Sequence, residues 1–153
     1  MSDVTEGAAA PAFELESPDG PIRLADFKGK TLVLYFYPKD DTSGCTREAQ
    51  DFTALAADFA KAGATVVGIS KDSVASHRKF ATKYDLAVRL ASDPEGKTVE
   101  RYGSWVEKSM YGRKYMGIDR STFLIRDGVV GRVWRKVKVP GHAEEVLKAV
   151  KAG

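Results

Sequence analysis

Thr31-Leu-Val-Leu-Tyr-Phe-Tyr-Pro-Lys-Asp-Asp-Thr-Ser-Gly-Cys45 passes from a continuous apolar run into a polar loop that ends on the chain's single cysteine. The run from Thr31 to Tyr37 shows no alternation of apolar and polar residues, so it reads as a strand buried on both faces and therefore central in a sheet. Beyond the loop, Ala49, Phe52, Leu55, Ala56 and Phe59 recur at helical spacing, and Gly63 closes that segment as a C-cap does. Strand, loop and helix thus place Cys45 in a first helical turn. Ala64 to Ser70 reads as a second buried strand, and Ser73 to Tyr84 as a helix with Val74, His77, Phe80 and Ala81 on one stripe. Ala87 to Ala91 is a third, short strand. The βαβαβ order favours parallel neighbours and right-handed crossovers.

Upstream, Phe13–Glu16 and Ile22–Leu24 flank the turn Ser17-Pro-Asp-Gly-Pro21 and form an N-terminal β-hairpin. Downstream, Asp93-Pro-Glu-Gly96 precedes a short helix over 97–102. A loop follows from Gly103 to Asp119, long enough to suggest a functional segment. Ser121–Ile125 and Val129–Val139 then pair across Arg126-Asp-Gly128, and Pro140–Ala152 reads as a terminal helix started by proline. The expectation is an α/β chain, residues 1–153 forming a single domain with a mixed central sheet and helices on both faces. Its connectivity is that of a thioredoxin-like fold.

Composition narrows the function classes. With 43% hydrophobic and 29% charged residues in 153, the chain is that of an ordinary globular protein. No apolar run approaches the roughly 18 residues of a membrane helix. The first residues hold two acids, no basic n-region and no long apolar stretch, so no secretory leader is expected and a cytoplasmic location is. One cysteine and two histidines exclude an intrachain disulfide, a Cys-x-x-Cys pair, a cysteine-based zinc site and a three-histidine metal site. The net charge of +3 is too small to argue for nucleic acid, although residues 101–153 carry +7 and residues 1–100 carry −4. His77 and His142 read as structural. Gly-Lys-Thr at 29–31 and at 96–98 lacks the earlier glycine of a phosphate loop, so nucleotide binding is not expected.

The chemistry centres on Cys45. Unpaired N–H groups and the positive end of the dipole at a helix start favour thiolate over thiol. Thr42, three residues earlier, can place its hydroxyl beside the sulfur to accept from and donate to a bound oxygen species, and Pro38 can shape the pocket and keep bulk water away. Each piece also has a plain alternative. Thr42 can be an N-cap, Pro38 a loop former, and a lone cysteine a small buried hydrophobe.

The spacing Pro38-x-x-x-Thr42-x-x-Cys45 resembles the active-site motif of the peroxiredoxins, and Tyr37 to Thr46 resembles the Q-type subgroup, also called bacterioferritin comigratory proteins. Glu48, Asp51-Phe52, Tyr102-Gly103, Trp105, Glu107-Lys108, Tyr115-Met-Gly-Ile118 and Arg120-Ser-Thr-Phe-Leu-Ile125 extend the likeness along nearly the whole chain. The resemblance implies a thiol-dependent peroxidase acting on hydrogen peroxide and organic hydroperoxides, with no metal or bound cofactor, as a monomer or small homodimer. It implies Cys45 as the peroxidatic nucleophile and Pro38, Thr42 and Arg120 as the residues around it. Arg120, the Thr42 hydroxyl and the Cys45 N–H would hold the two peroxide oxygens for attack. Glu48 either orients Arg120 or is ordinary first-turn charge. Gln50 stands where many Q-type members carry a resolving cysteine, so a one-cysteine cycle is expected, completed by an external thiol: thioredoxin, glutathione with a glutaredoxin, or another small thiol. The rival expectations are a peroxide sensor or relay with little turnover, and a binding module with an inert thiol.

Overall fold

The computed structural model describes residues 4–153, so Met1 to Asp3, the start of the segment read above for a leader, lie outside the description. Strand β3 (Thr31–Phe36) lies at the centre and has no solvent face. Because strand side chains alternate, Leu32, Leu34 and Phe36 enter one apolar layer and Val33 and Tyr35 enter the other. Strand β4 (Ala64–Ser70) runs parallel to β3, and β5 (Arg89–Ser92) parallel to β4. On the other side β8 (Ser121–Arg126) runs antiparallel to β3, and β9 (Val129–Trp134) antiparallel to β8. The order β5-β4-β3-β8-β9 is the expected mixed sheet.

Helices α1 (Ser43–Ala54), α2 (Ala56–Lys61), α3 (Val74–Tyr84) and α5 (His142–Ala152) send Ala49, Phe52, Phe59, Phe80, Val146 and Val150 into the layer that Tyr35 enters. The opposite layer receives Val99 from α4 (Lys97–Arg101). Ile22 enters it from the N-terminal hairpin of β1 (Glu14–Leu15) and β2 (Ile22–Arg23), and Phe27 from the 3-10 turn Leu24–Phe27. His142 sits buried between Phe52 and Trp134, bonded to the Thr122 hydroxyl at 2.8 Å. Burial lowers its pKa to about 4, so it is neutral and structural.

Four sequence expectations need correction. The segment 103–119 is no loop: it forms the hairpin β6 (Trp105–Met110) and β7 (Arg113–Ile118). Its two-residue turn puts Tyr111 and Gly112 at φ 52° and 78°, the left-handed geometry a tight hairpin needs. Strand β9 stops at Trp134, because Lys136 at φ 49° turns the chain and the Val137 N–H crosses to the Arg120 carbonyl at 2.9 Å. Helix α5 starts at His142 and not at Pro140, since Gly141 at φ 77° is not helical. The helix read through Leu55 is two, because the Leu55 N–H bonds back to Phe52 only three residues away and the backbone tightens there. Gly63, at φ 80°, does end α2 in the left-handed region as a C-cap glycine should. The remaining strand ends move by one or two residues.

Tyr35 pairs across the sheet with Gly68, and a Cβ at Gly68 would lie 2.7 Å from Tyr35 Cζ. The ring is held on its other side by stacking on Phe52 at 4.9 Å between centroids, so it has nowhere to withdraw. Gly68→Ala should therefore lower unfolding free energy by about 1–3 kcal/mol. Gly131→Ala, where the nearest atom is the flexible end of Arg126, should stay within about 0.5 kcal/mol. Urea midpoints of the two variants check this, and equal midpoints would show that Tyr35 moves freely.

Candidate active site

Tyr37 still donates its N–H to the Ile69 carbonyl at 3.0 Å, but Pro38 has no N–H to give and sheet pairing ends there. The loop that follows is fixed through its acids. The Asp40 carboxylate accepts from the Tyr37 hydroxyl at 2.5 Å and the Ser76 hydroxyl at 2.8 Å, and meets His77 Nδ1 at 2.7 Å. His77 Nε2 faces the Ala91 carbonyl at 2.9 Å, and a carbonyl only accepts, so Nε2 carries a proton. The Nδ1 contact needs one more proton, shared between ring and carboxylate, and the buried pair is neutral overall in either arrangement. The Asp40 N–H donates to Asp72 at 2.8 Å. Asp41, at φ 58°, takes the Lys83 ammonium at 2.8 Å and the Tyr84 hydroxyl at 2.6 Å. The loop is thereby stapled to α3 at two successive residues.

Thr42 is the N-cap of α1, yet its hydroxyl makes no capping bond and donates instead to the Lys39 carbonyl at 2.9 Å. The expected two-way role is thus reduced in this state: the proton is engaged and the oxygen is left to accept. With no side chain capping α1, the first-turn N–H groups, that of Cys45 included, are left without a side-chain partner. Cys45 is 2% exposed. Pro38 is exposed at the mouth of the loop.

Arg120 arrives from the far end of the sequence. The β3–β8 register pairs Phe36 with Ser121, so Arg120 sits beside the end of β3 where the cysteine loop begins. Its Nη2 donates to Cys45 Sγ at 3.2 Å and its Nη1 to Glu48 Oε1 at 2.6 Å. Gly44 leaves room for this reach, since a Cβ there would lie 3.3 Å from Nη2. Burial raises the Glu48 pKa to about 7 against the pull of Arg120, and Glu48 Oε2 is buried without a partner. Burial works to lower the Arg120 pKa, but the charges of Glu48 and Cys45 outweigh it and hold the guanidinium above its ordinary value. The structure thus brings together Cys45, Thr42, Arg120 and Glu48, with Pro38 at the border. Sequence reasoning missed Asp40 and His77 as the anchor of the loop, and no local signal links residues 37 positions apart. Among the described residues, no group of three or more His, Cys, Asp or Glu could hold a metal ion, and no helix is long and apolar enough to cross a membrane.

A family model described as the AhpC/TSA family matches residues 7–133. The chain belongs to the AhpC/TSA family. Relatives that it matches over nearly their whole length include peroxiredoxins named Bcp. The Peroxiredoxin Bcp of Xanthomonas campestris is 51% identical over 156 residues, covering 99% of this chain and 98% of the relative. The Peroxiredoxin Bcp of Bacillus subtilis is 46% identical over 147 residues, covering 95% and 94%. Among solved structures, a cysteine-to-serine mutant of Xylella fastidiosa PrxQ superposes with a TM-score of 0.93 at 40% identity, covering 99% of this chain and 98% of that one. The Xanthomonas campestris Bacterioferritin Comigratory Protein, described for its alkyl peroxide reduction activity, gives 0.87 at 46% identity over 92% and 90%. These likenesses agree with the thioredoxin-like fold, and the chain has the single cysteine of a one-cysteine variant.

Two outcomes follow from the Arg120 geometry. Arg120→Gln should slow Cys45 oxidation by peroxide about 100-fold or more, the usual cost of losing one charge-stabilising donor. Glu48 is ionised above about pH 7 and then holds Arg120 by charge; below it the carboxyl is neutral and that hold weakens. The oxidation rate should therefore fall as pH drops through about 7, and Glu48→Gln should remove that inflection. Stopped-flow rates between about pH 5.5 and about pH 8.5 read both effects. A Glu48→Gln profile identical to the parent's would show that Glu48 does not position Arg120.

Proposed function

We propose that Cys45 is the nucleophile of a thiol-dependent peroxidase, with Arg120 and Thr42 as the peroxide-orienting groups and Pro38 shielding the approach. The observation that carries this reading is the Arg120 Nη2 bond to Cys45 Sγ at 3.2 Å, on a sulfur lodged in the uncapped first turn of α1. A peroxide entering there finds donors for one oxygen in Arg120 and the Cys45 N–H, and an acceptor for its O–H proton in Thr42. The thiolate attacks the nearer oxygen and the O–O bond breaks. The departing oxygen takes a proton and leaves as water or an alcohol, and Cys45 becomes a sulfenic acid. The chemistry as written uses no metal and no bound cofactor.

The alkyl peroxide reduction of the Xanthomonas campestris relative supports organic hydroperoxides as substrates beside hydrogen peroxide. With one cysteine in the chain, the sulfenic acid is reduced by an external thiol, either thioredoxin, glutathione with a glutaredoxin, or a small thiol of that kind. We place the protein in the reducing cytoplasm, as one domain over 1–153 acting as a monomer or small homodimer, with no nucleic acid or membrane partner. The lone cysteine also favours a second reading, a relay that passes its oxidation to one partner protein and turns over little.

Mixing reduced protein with hydrogen peroxide should add one oxygen atom to Cys45 by intact mass, and a thiol reductant should then restore the parent mass through repeated cycles. Cys45→Ser should consume no peroxide. A Cys45→Ser protein as active as the parent would overturn the peroxidase reading, and one oxidation event without recycling by any general thiol would favour the relay.

A further inference from the structure

The β6–β7 hairpin has two chemically different faces. Strand alternation and the pairing of Lys108 with Tyr115 put Val106, Lys108, Met110, Arg113, Tyr115 and Gly117 on one of them. The other face turns Trp105 and Ile118 toward the core, and it carries Glu107, which pairs with Lys114 at 3.8 Å. The first face therefore holds two cations and no carboxylate, flanked by Met110 and Tyr115 at 57% and 45% exposure. Lys108 and Arg113 have no ion-pair partner among the described residues.

Lys108 is the more telling of the two cations. Its stem lies over Gly117, where a Cβ would come within 3.2 Å of Lys108 Cδ, so the missing side chain makes the channel in which the lysine lies. Strand β7 runs on from Gly117 and Ile118 through Asp119 into Arg120, the residue bonded to Cys45 Sγ, so Lys108 lies at the end of the face that leads to the sulfur, and partial burial lowers its pKa against the charge of Asp119. A partly buried cation with no ion-pair partner, on the hairpin that leads to the arginine of a sulfur needing an outside reductant, lacks one kind of partner: an anion that arrives with a thiol.

We propose that this face binds a low-molecular-weight thiol bearing carboxylates, of the glutathione class, which reduces oxidised Cys45. The inference rests on the reading of Cys45 as peroxidatic. A carboxylate of the thiol pairs with Lys108 and a second reaches Arg113, while Met110 and Tyr115 flank its peptide backbone. A small thiol fits better than a protein, because the sulfur is 2% exposed and a narrow molecule reaches it without opening α1. The external thiolate attacks Cys45 Sγ, the S–O bond breaks, and the hydroxide leaves with a proton as water. A second thiol attacks the external sulfur of the mixed disulfide, which frees the Cys45 thiolate and releases the oxidised thiol as its disulfide.

The test uses the whole protein, first oxidised with one equivalent of hydrogen peroxide and then mixed with glutathione or with glutathione diethyl ester, whose carboxylates are masked. Glutathione should reduce Cys45 about five- to tenfold faster than the ester at low salt, the scale of one or two partly exposed ion pairs. The preference should fade toward 1 M salt, where the screening length is about 3 Å. Lys108→Gln should bring the ratio of the two rates close to one, and Lys108→Arg should keep it. Equal rates for the two thiols in the parent, or an undiminished ratio in Lys108→Gln, overturns the inference. So does recycling by a glutaredoxin or thioredoxin with none by glutathione alone, which assigns the face to a protein. Failure of Cys45 to oxidise in the first step sinks the peroxidase reading instead, and this inference with it.

Discussion

The guanidinium of Arg120, held between Glu48 and the Cys45 sulfur, is the contact on which the rest of the site depends. A strand that enters antiparallel beside β3 is what makes it possible, because only that register carries a residue from position 120 to the start of the cysteine loop. The glycine at 44 then clears the path for its side chain. The mixed sheet thus matters to the chemistry directly. Its parallel half supplies the strand that launches the cysteine helix, and its antiparallel half supplies the cation.

The charges in this arrangement are not at ease. Glu48 binds a proton more tightly in the fold than in the unfolded chain, with a pKa of about 7, so the stability linked to it is present at low pH and is lost as pH rises through that value. Above that pH the buried carboxylate weighs against folding, offset in part by its bond to the Arg120 guanidinium. The staples on the cysteine loop act in the other direction. The Asp40–His77 pair is fully hydrogen-bonded and neutral as a unit, so it fixes the loop without leaving an uncompensated buried charge.

Much of the fold was legible because buried strands and amphipathic helices write their periods into the sequence: β3, β4, α3 and the motif loop all follow from local pattern. The β6–β7 hairpin was not, and its burial explains why. Both strands are exposed over most of their length, so no apolar side alternates with a polar one, and the turn is Tyr111-Gly112 in place of the usual Asn-Gly or Asp-Gly. The site divides in the same way. Cys45, Thr42 and Pro38 lie in one short motif and Arg120 came by family resemblance. Glu48 is ambiguous in the sequence because its 2.6 Å bond to Arg120 exists only in the fold, and Asp40 with His77 emerged only when the sheet had brought two distant segments together.

The single cysteine on a firmly stapled helix start has a cost in chemical durability. An oxidised sulfur that has no second thiol in its own chain must wait for one from solution, and its lifetime is set by the outside thiol concentration. When peroxide outpaces thiol, a second oxygen adds to the sulfur and gives a sulfinic acid, which ordinary thiols do not reduce. The lack of a second thiol in the chain therefore also limits how many molecules survive a surge of oxidant.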